Sequence, residues 1–269
     1  MDCAPFHKMH GLGNDFVVID ARVYPADMTK ARAHAIADRH MGIGCDQLIL
    51  LEPSDIADVR MRIFNSDGGE VEACGNASRC VALLLDKPAR IETTGGILET
   101  VPQGQRATVL LNPPAFDWEF IPLAMPMDTY DMPVGWDVLD RPMAVNVGNP
   151  HIVFFVEDCD AVDLTQLGPI VENDPLFPER INVNVATIVD KNTLRLRVWE
   201  RGVGLTKACG TGACATAVAA IRSGRASTPV DVILPGGTLT IDWAEGGAIE
   251  MAGPATHVFT GTADWARFG

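Results

Sequence analysis

One pattern in this chain occurs twice, and it limits the fold more than anything else in the sequence. Cys74-Gly75-Asn76-Ala77-Ser78 opens an apolar run from Arg79 to Leu85, stopped by Pro88. Cys209-Gly210-Thr211-Gly212 opens a second, Ala-rich run that ends before Gly224. The cysteines stand 135 positions apart in a chain of 269, half its length. At that offset Gly13 falls on Gly148, Asn14 on Asn149, Gly69 on Gly204, Ala73 on Ala208 and Gly75 on Gly210. Gln47 falls on Asn182 and Asn65 on Glu200. A register held from position 13 to position 75 reads as an old duplication, two half-chains of one fold, each offering a cysteine.

Ala-rich runs are strong helix formers, and a glycine just past the last turn closes them. The first N–H groups of a helix have no partner within it and, with the positive end of the dipole, point back at the preceding cysteine. Such a position stabilises a thiolate and holds an anion. Two helices aimed at one point would bind a carboxylate and stabilise the charge that develops when the adjacent carbon loses its proton. A thiolate on one face and a thiol on the other would then invert that carbon, the reaction of a racemase or epimerase with two bases. No cofactor and no metal is needed for this chemistry, and no G-x-G-x-x-G stands between a strand and a helix.

Other uses of the cysteines were weighed. Structural zinc wants pairs at C-x₂₋₄-C; Cys209 and Cys214 are C-x₄-C and Cys74 and Cys80 C-x₅-C, with helices beginning between them. Buried inert thiol is the reading for Cys80, Cys159, Cys214 and Cys45, and Cys3 is incidental. Oxidation of Cys74 and Cys209 to a disulfide would consume the base. Seven cysteines scattered through a chain this long suit reduced thiols, hence a cytoplasmic protein. The net charge of −14 argues against nucleic acid or an anionic membrane as partner. No apolar run approaches the ~20 residues of a membrane helix, and the stretch from Met1 to Lys8 does not read as a secretory signal.

Taken in order, the chain reads as α+β, two pseudo-symmetric and mostly antiparallel barrel-like halves, each with a central helix starting at its cysteine. Residues 1–115 form the first half and 116–256 the second, and a strand near 257–269 packs back on the first. A linker is expected in the Pro-rich segment from Asn112 to Pro133. Helices are expected from Thr29 to His40, capped by Asp27 or Thr29 and stopped at Gly42, and over Leu164–Glu172. Strands are expected at Leu48–Leu51, Val59–Phe64, Ile181–Val189, Leu194–Glu200, Val230–Leu234 and Thr238–Trp243, among others. Asn14, Gln47, Asn65, Asn149 and Asn182 each stand at a turn or strand tip, where one asparagine alone would mean only a turn. Five at repeat-related places read as the polar lining of a zwitterion site. Glu200-Arg201 is a surface ion pair or, on the functional reading, an ammonium partner beside a grip for a second carboxylate. His151 is a buried hydrogen-bonding histidine or a group that tunes a catalytic thiol.

With these residues assembled, the sequence resembles the diaminopimelate epimerase family over nearly its whole length. Lys8-Met-His-Gly-Leu-Gly-Asn-Asp-Phe-Val-Val-Ile-Asp20 is similar to the family's opening motif, and Phe64–Asn76 to its first cysteine signature. Gly148–His151, Arg180–Val183, Glu200–Gly204 and Ala208–Cys214 are similar to the rest. The resemblance implies interconversion of LL- and meso-2,6-diaminopimelate in lysine and peptidoglycan synthesis, with Cys74 and Cys209 as the acid/base pair. It implies Asn14, Gln47, Asn65, Gly75, Asn76, Asn149, Asn182, Glu200, Arg201, Gly210 and Thr211 as substrate contacts, and a homodimer whose domains close over the ligand. Two departures stand out: Leu205-Thr206 follows Gly204 where the family has Glu-Thr, and Ala77-Ser78-Arg79 follows Asn76 where it has Gly-Ala-Arg.

Overall fold

The computed structural model describes residues 3–72 and 74–268. Ala73, which the repeat pairs with Ala208, lies outside them, as do Met1 and Asp2. By contacts the chain divides into Met1–Val109 with Gly253–Gly269, and Leu110–Ala252. Each is a sheet-dominated α+β unit.

In the first unit the order is β1 (Cys3–Gly11), β2 (Asn14–Asp20), α1 (Lys30–Ala37), β3 (Gln47–Glu52), β4 (Val59–Asn65), β5 (Glu70–Val71), α2 (Gly75–Leu85), β6 (Ala89–Thr93), β7 (Gly96–Gln103) and β8 (Arg106–Leu111). The β1–β2, β3–β4, β4–β5 and β6–β7 pairs are antiparallel, and two pairs are parallel. Phe16 pairs with Gln47 in a parallel β2–β3 ladder, and Val59 with Ile91 in a parallel β4–β6 ladder. A parallel pair needs a crossover, usually a helix, and α1 and α2 are those crossovers. Leu12 and Gly13, both at positive φ (57° and 87°), make the two-residue β1–β2 turn.

The second unit repeats the plan. After a short hairpin of β9 (Gly135–Trp136) and β10 (Leu139–Asp140) come β11 (Met143–Asn146), β12 (Pro150–Phe155), α3 (Leu164–Glu172), β13 (Asn182–Asp190), β14 (Thr193–Glu200), β15 (Gly204–Thr206) and α4 (Gly210–Arg222). β16 (Val230–Leu234), β17 (Gly237–Trp243) and β18 (Ile249–Pro254) follow. His151 pairs with Asn182 across a parallel β12–β13 ladder and Thr193 with Asp231 across a parallel β14–β16 ladder. The last strand, β19 (Thr256–Asp264), runs antiparallel to β1 from Cys3↔Asp264 to His10↔Thr256.

Each unit packs its own core. α4 is buried nearly all round through Ala213, Ala215, Ala217, Val218, Ala219 and Ala220, whose small side chains let strands approach every face. α2 buries Asn76 to Ala82 and leaves its last turn half-covered. The Pro-rich segment is not a loose connection: Ile121, Leu123 and Met132 lie in the core of the second unit with Phe154, Leu164 and Val185. α1 is shorter than the pattern predicts. Thr29 caps it, its hydroxyl accepting the Arg32 N–H at 3.2 Å, but it ends at Ala37 rather than His40. The Asp38 carboxylate accepts the N–H groups of His40 and Met41, both at 2.7 Å, and this local turn replaces the next helical bonds. Among the described residues no helix is long and apolar enough to cross a membrane.

Candidate active site

Both cysteines sit where the sequence puts them, as N-caps in extended conformation: Cys74 (φ −148°, ψ 108°) before α2 and Cys209 (φ −112°, ψ 111°) before α4. Their carbonyls accept the first helical bonds, from Ser78 N at 3.0 Å and Ala213 N at 3.1 Å.

In the first unit Cys74 is partly exposed, and its thiol makes a long sulfur contact of 3.9 Å to Asn14 Oδ1. The same oxygen accepts Asn76 Nδ2 at 3.2 Å. The other end of the Asn14 amide donates to Asp46 Oδ2 at 3.1 Å, which orients the carbonyl toward the cysteine. Asp46 is tied to Arg39 at 2.7 Å, and Arg39 in turn bonds Asp15 Oδ1 at 2.6 Å, with Lys8 on the other Asp15 oxygen. Burial opposes ionisation of Asp15, but hydrogen bonds from Arg39 and Lys8 outweigh it and bring the carboxyl down to about 2. Gln47 donates to Asn65 Oδ1 at 2.9 Å across the β3–β4 ladder, and Gln47 Oε1 is buried. Beneath them the fully buried Arg79 reaches Asn76 Oδ1 at 2.8 Å and Pro254 O at 3.3 Å.

In the second unit Cys209 is 5% exposed. Its sulfur accepts Gly212 N at 3.3 Å and lies 3.5 Å from Thr211 Oγ1. Glu200 is within hydrogen-bond reach of the thiol and accepts the Thr206 hydroxyl. Burial first, then the negative Glu200, push the Cys209 thiol well up, so this cysteine is held protonated. Burial likewise raises the Glu200 carboxyl against the hydrogen bonds from Thr206 and Cys209. Gly210 begins α4, as Gly75 begins α2.

His151 is fully buried, and its ring meets two asparagines rather than a cysteine. Asn184 Nδ2 donates to Nδ1 at 3.1 Å, so Nε2–H donates to Asn149 Oδ1 at 2.9 Å. Burial, with the positive Arg201 adding to it, lowers this imidazole to about 3; it is neutral at every ordinary pH and serves to orient Asn149. Asn182 is 4% exposed and spends its side chain on the backbone: Nδ2 to Pro150 O at 2.9 Å, and Oδ1 from Arg201 N at 2.9 Å. It places Arg201, whose Nη1 also bonds Glu179 O at 3.1 Å.

Asp46, Asn184, Thr206 and Arg79 were not singled out from the sequence. For Arg79 there was a signal, a charge inside an apolar helical run. Thr206 and Asp46 lay beside chosen residues, and Asn184 shares the β13 face of Asn182 through the two-residue strand period. A cavity of about 390 Å³ lined by Met125, Met127, Val134, Trp136 and Leu176 carries no nucleophile, and Asp174 there accepts the Trp136 N–H at 2.9 Å.

A protein from Sphingopyxis alaskensis named diaminopimelate epimerase is 70% identical over 264 residues, covering 98% of each chain. One of that name from Rhizorhabdus wittichii is 67% identical over 98% of this chain and 97% of its own. Among solved structures, a PhzF-family phenazine biosynthesis protein of Bacillus anthracis superposes with TM-score 0.70 at 16% identity, over 98% of this chain and 99% of that one. A hydroxyproline epimerase from Agrobacterium vitis superposes with TM-score 0.67 at 16% identity, over 98% and 91%. At such identities these two speak for the fold alone. The diaminopimelate epimerase family model matches residues 6–115 and 143–258, which hold both cysteine caps and every site residue named above, and the chain belongs to that family.

Proposed function

We infer that this chain is a cofactor-independent isomerase that interconverts LL- and meso-2,6-diaminopimelate, in lysine and peptidoglycan precursor synthesis, with Cys74 and Cys209 as its two bases. Family membership supports the reaction. The observation that carries the mechanism is the pair of N-capping cysteines, each within its own cluster of fixed polar groups.

On this reading both cysteines act on one substrate carbon. The substrate's α-carboxylate meets the first turns of α2 and α4, at Gly75-Asn76 and Gly210-Thr211. Each helix end contributes roughly half a positive charge. The thiolate of Cys74 removes the α-proton, the electron pair of the C–H bond flows into the carboxylate, and the planar carbanion takes a proton from Cys209 on the opposite face. The burial of Cys209 beside Glu200 suits it to be the donor in this direction. The reverse reaction exchanges the roles. Asn14, Gln47, Asn65 and Asn149 line the zwitterion, Glu200 meets an ammonium group, and Arg201 grips the distal carboxylate, with Asn182 holding Arg201. His151 supports Asn149. The seven thiols fit a reducing cytoplasm, and the assembly is a homodimer, which light scattering on the purified chain tests.

Turnover in deuterated water checks the chemistry. Product carrying deuterium at the inverted carbon, with the starting isomer unlabelled early in the reaction, is the expected result. Product without label at full conversion refutes proton exchange with solvent.

A further inference from the structure

The residues Glu200 and Arg201 are bracketed by a carboxylate that the mechanism does not use. Glu172, the last residue of α3, is 5% exposed. Its Oε2 accepts the Trp199 indole N–H at 2.7 Å, and its Oε1 accepts the Gly202 backbone N–H at 2.8 Å, with Arg180 Nη1 at 3.4 Å. Trp199 stands immediately before the pair and Gly202 immediately after it. Between them the chain makes a tight turn: Val203 N bonds Glu200 O at 3.0 Å, with Gly202 at φ +74°. One helical turn earlier on α3, Gly168 lies flat against the same indole; a Cβ there would stand 2.5 Å from Trp199 Cγ and Cδ2. The helix therefore holds this turn by two independent fits, a glycine on the face of the ring and a carboxylate across its edge.

Among its described residues the first unit has no such bracket. At the repeat offset Glu172 falls on Ala37, Trp199 on Phe64 and Gly202 on Asp67, and the turn there carries the uncharged Asn65-Ser66. Helix α1 touches that turn through His34 Nδ1, 2.7 Å from Ser66 O. The carboxylate bracket is found in the unit whose turn bears the charged pair.

We propose that Glu172 is the positioning residue for Arg201 and Glu200, and so sets the affinity and the selectivity for a substrate with a second, distal carboxylate. This rests on the reading of Arg201 given above. Glu172 acts through the turn and does not meet the substrate. Three N–H donors converge on it, Trp199 at Oε2 and Gly202 with Arg180 at Oε1, and only a carboxylate offers an acceptor on both sides. In Glu172→Gln one donor faces an amide NH₂.

The test is steady-state kinetics on the full chain with diaminopimelate, for wild type, R201A, E172Q, W199F and E172Q/W199F. A grip made equally in ground and transition states shows in KM and not in kcat. E172Q is expected to raise KM about tenfold, the cost of ~1.4 kcal/mol in binding, with kcat within about twofold of wild type. Adding W199F removes the competing donor, and the double variant is expected to recover toward the KM of W199F alone. A merely structural role would instead lower thermal stability and kcat, with no recovery in the double variant, and that result overturns the proposal. So does an unchanged KM in E172Q beside a raised KM in R201A, which leaves the reading of Arg201 standing. A wild-type KM in R201A overturns both. If E172Q does not fold, W199F decides alone: a KM raised at constant kcat supports the bracket, and an unchanged KM overturns it.

Discussion

Cys74 and Cys209 hold the same place in two units built to one plan, yet their surroundings have diverged. Cys74 is half-open, has no side-chain cap bond of its own, and faces a neutral amide carbonyl held by Asp46. Cys209 is sealed, caps Gly212 with its sulfur, and sits beside a carboxylate. Both charge differences make the second unit more negative: Arg79 in α2 corresponds to the uncharged Cys214 in α4, and Asn65 at the end of β4 to Glu200 at the end of β14. The ladders show how faithfully the backbone kept its register. Phe16↔Gln47 and His151↔Asn182 are the same pair at the repeat offset, as are Ile63↔Val71 and Val198↔Thr206. Only after the cysteine helices does the spacing drift, from Val59↔Ile91 (32 residues) to Thr193↔Asp231 (38 residues). Backbone hydrogen bonds tolerate nearly any side chain, so the ladders survived duplication while the charges around the two thiols diverged.

The sharpest challenge to this asymmetry is to remove each sulfur. Cys74→Ala and Cys209→Ala are each expected to lower the rate of epimerisation by about 10³-fold or more, the scale of a lost acid or base. If one of them keeps more than a tenth of wild-type activity, the paired-base reading fails. Next in size is the carboxylate beside Cys209. Glu200→Gln removes a negative charge that raises Cys209, so the limb of the kcat/KM profile governed by Cys209 is expected to move to lower pH, with a rate loss of about 10²-fold from the ammonium contact proposed for Glu200. A limb that stays in place shows that burial alone sets this thiol.

The thiols of the first unit outside the site give a contrasting pH dependence. Burial pushes Cys45 and Cys80 up to about 12 from an ordinary 9.0. The folded state thus favours their protonated forms. Their contribution to stability is complete below pH 9 and is lost as pH climbs from 9 toward 12, by about 1.4 kcal/mol per pH unit for each thiol that titrates on unfolding. Urea unfolding from pH 8 to 10.5 should show this decline, and Cys80→Val should make it shallower. The smallest effect compares Gly212 with its counterpart Ala77. A Cβ at Gly212 would lie 2.7 Å from Asn184 Oδ1, whereas Ala77 is accommodated fully buried. Gly212→Ala should cost about 1–3 kcal/mol by overpacking, and Ala77→Gly only about 1 kcal/mol of helix propensity. Equal losses would mean that the two helix starts are packed alike.

Much of this was legible in the residues because it is local or periodic. The cysteine caps, the strands of β14 and β16, the limits of α3 and the duplicated register depend on neighbouring residues or on a fixed offset. The early end of α1 was not visible, since the competition is won by the Asp38 side chain against further helical bonds. Nor was the packing of the Pro-rich segment, where Ile121, Leu123 and Met132 are too widely spaced to show a period. The residues proposed for the site stand out by type and position, but their hydrogen-bond partners do not: Asn182 and His151 each hold another of them, Arg201 and Asn149.

By itself, then, the sequence determined a repeated unit with a cysteine before a helix and a set of polar residues at matching strand ends, because repeats and caps are written in consecutive letters. Only the tertiary structure decided which carboxylate stands beside which thiol, which amide is pinned by Asp46, and that Glu172 spans Trp199 and Gly202. The latter two join residues 27 to 32 positions apart in the chain. They arise from parallel crossovers, whose register places side chains together by the geometry of the sheet and not by their order in sequence.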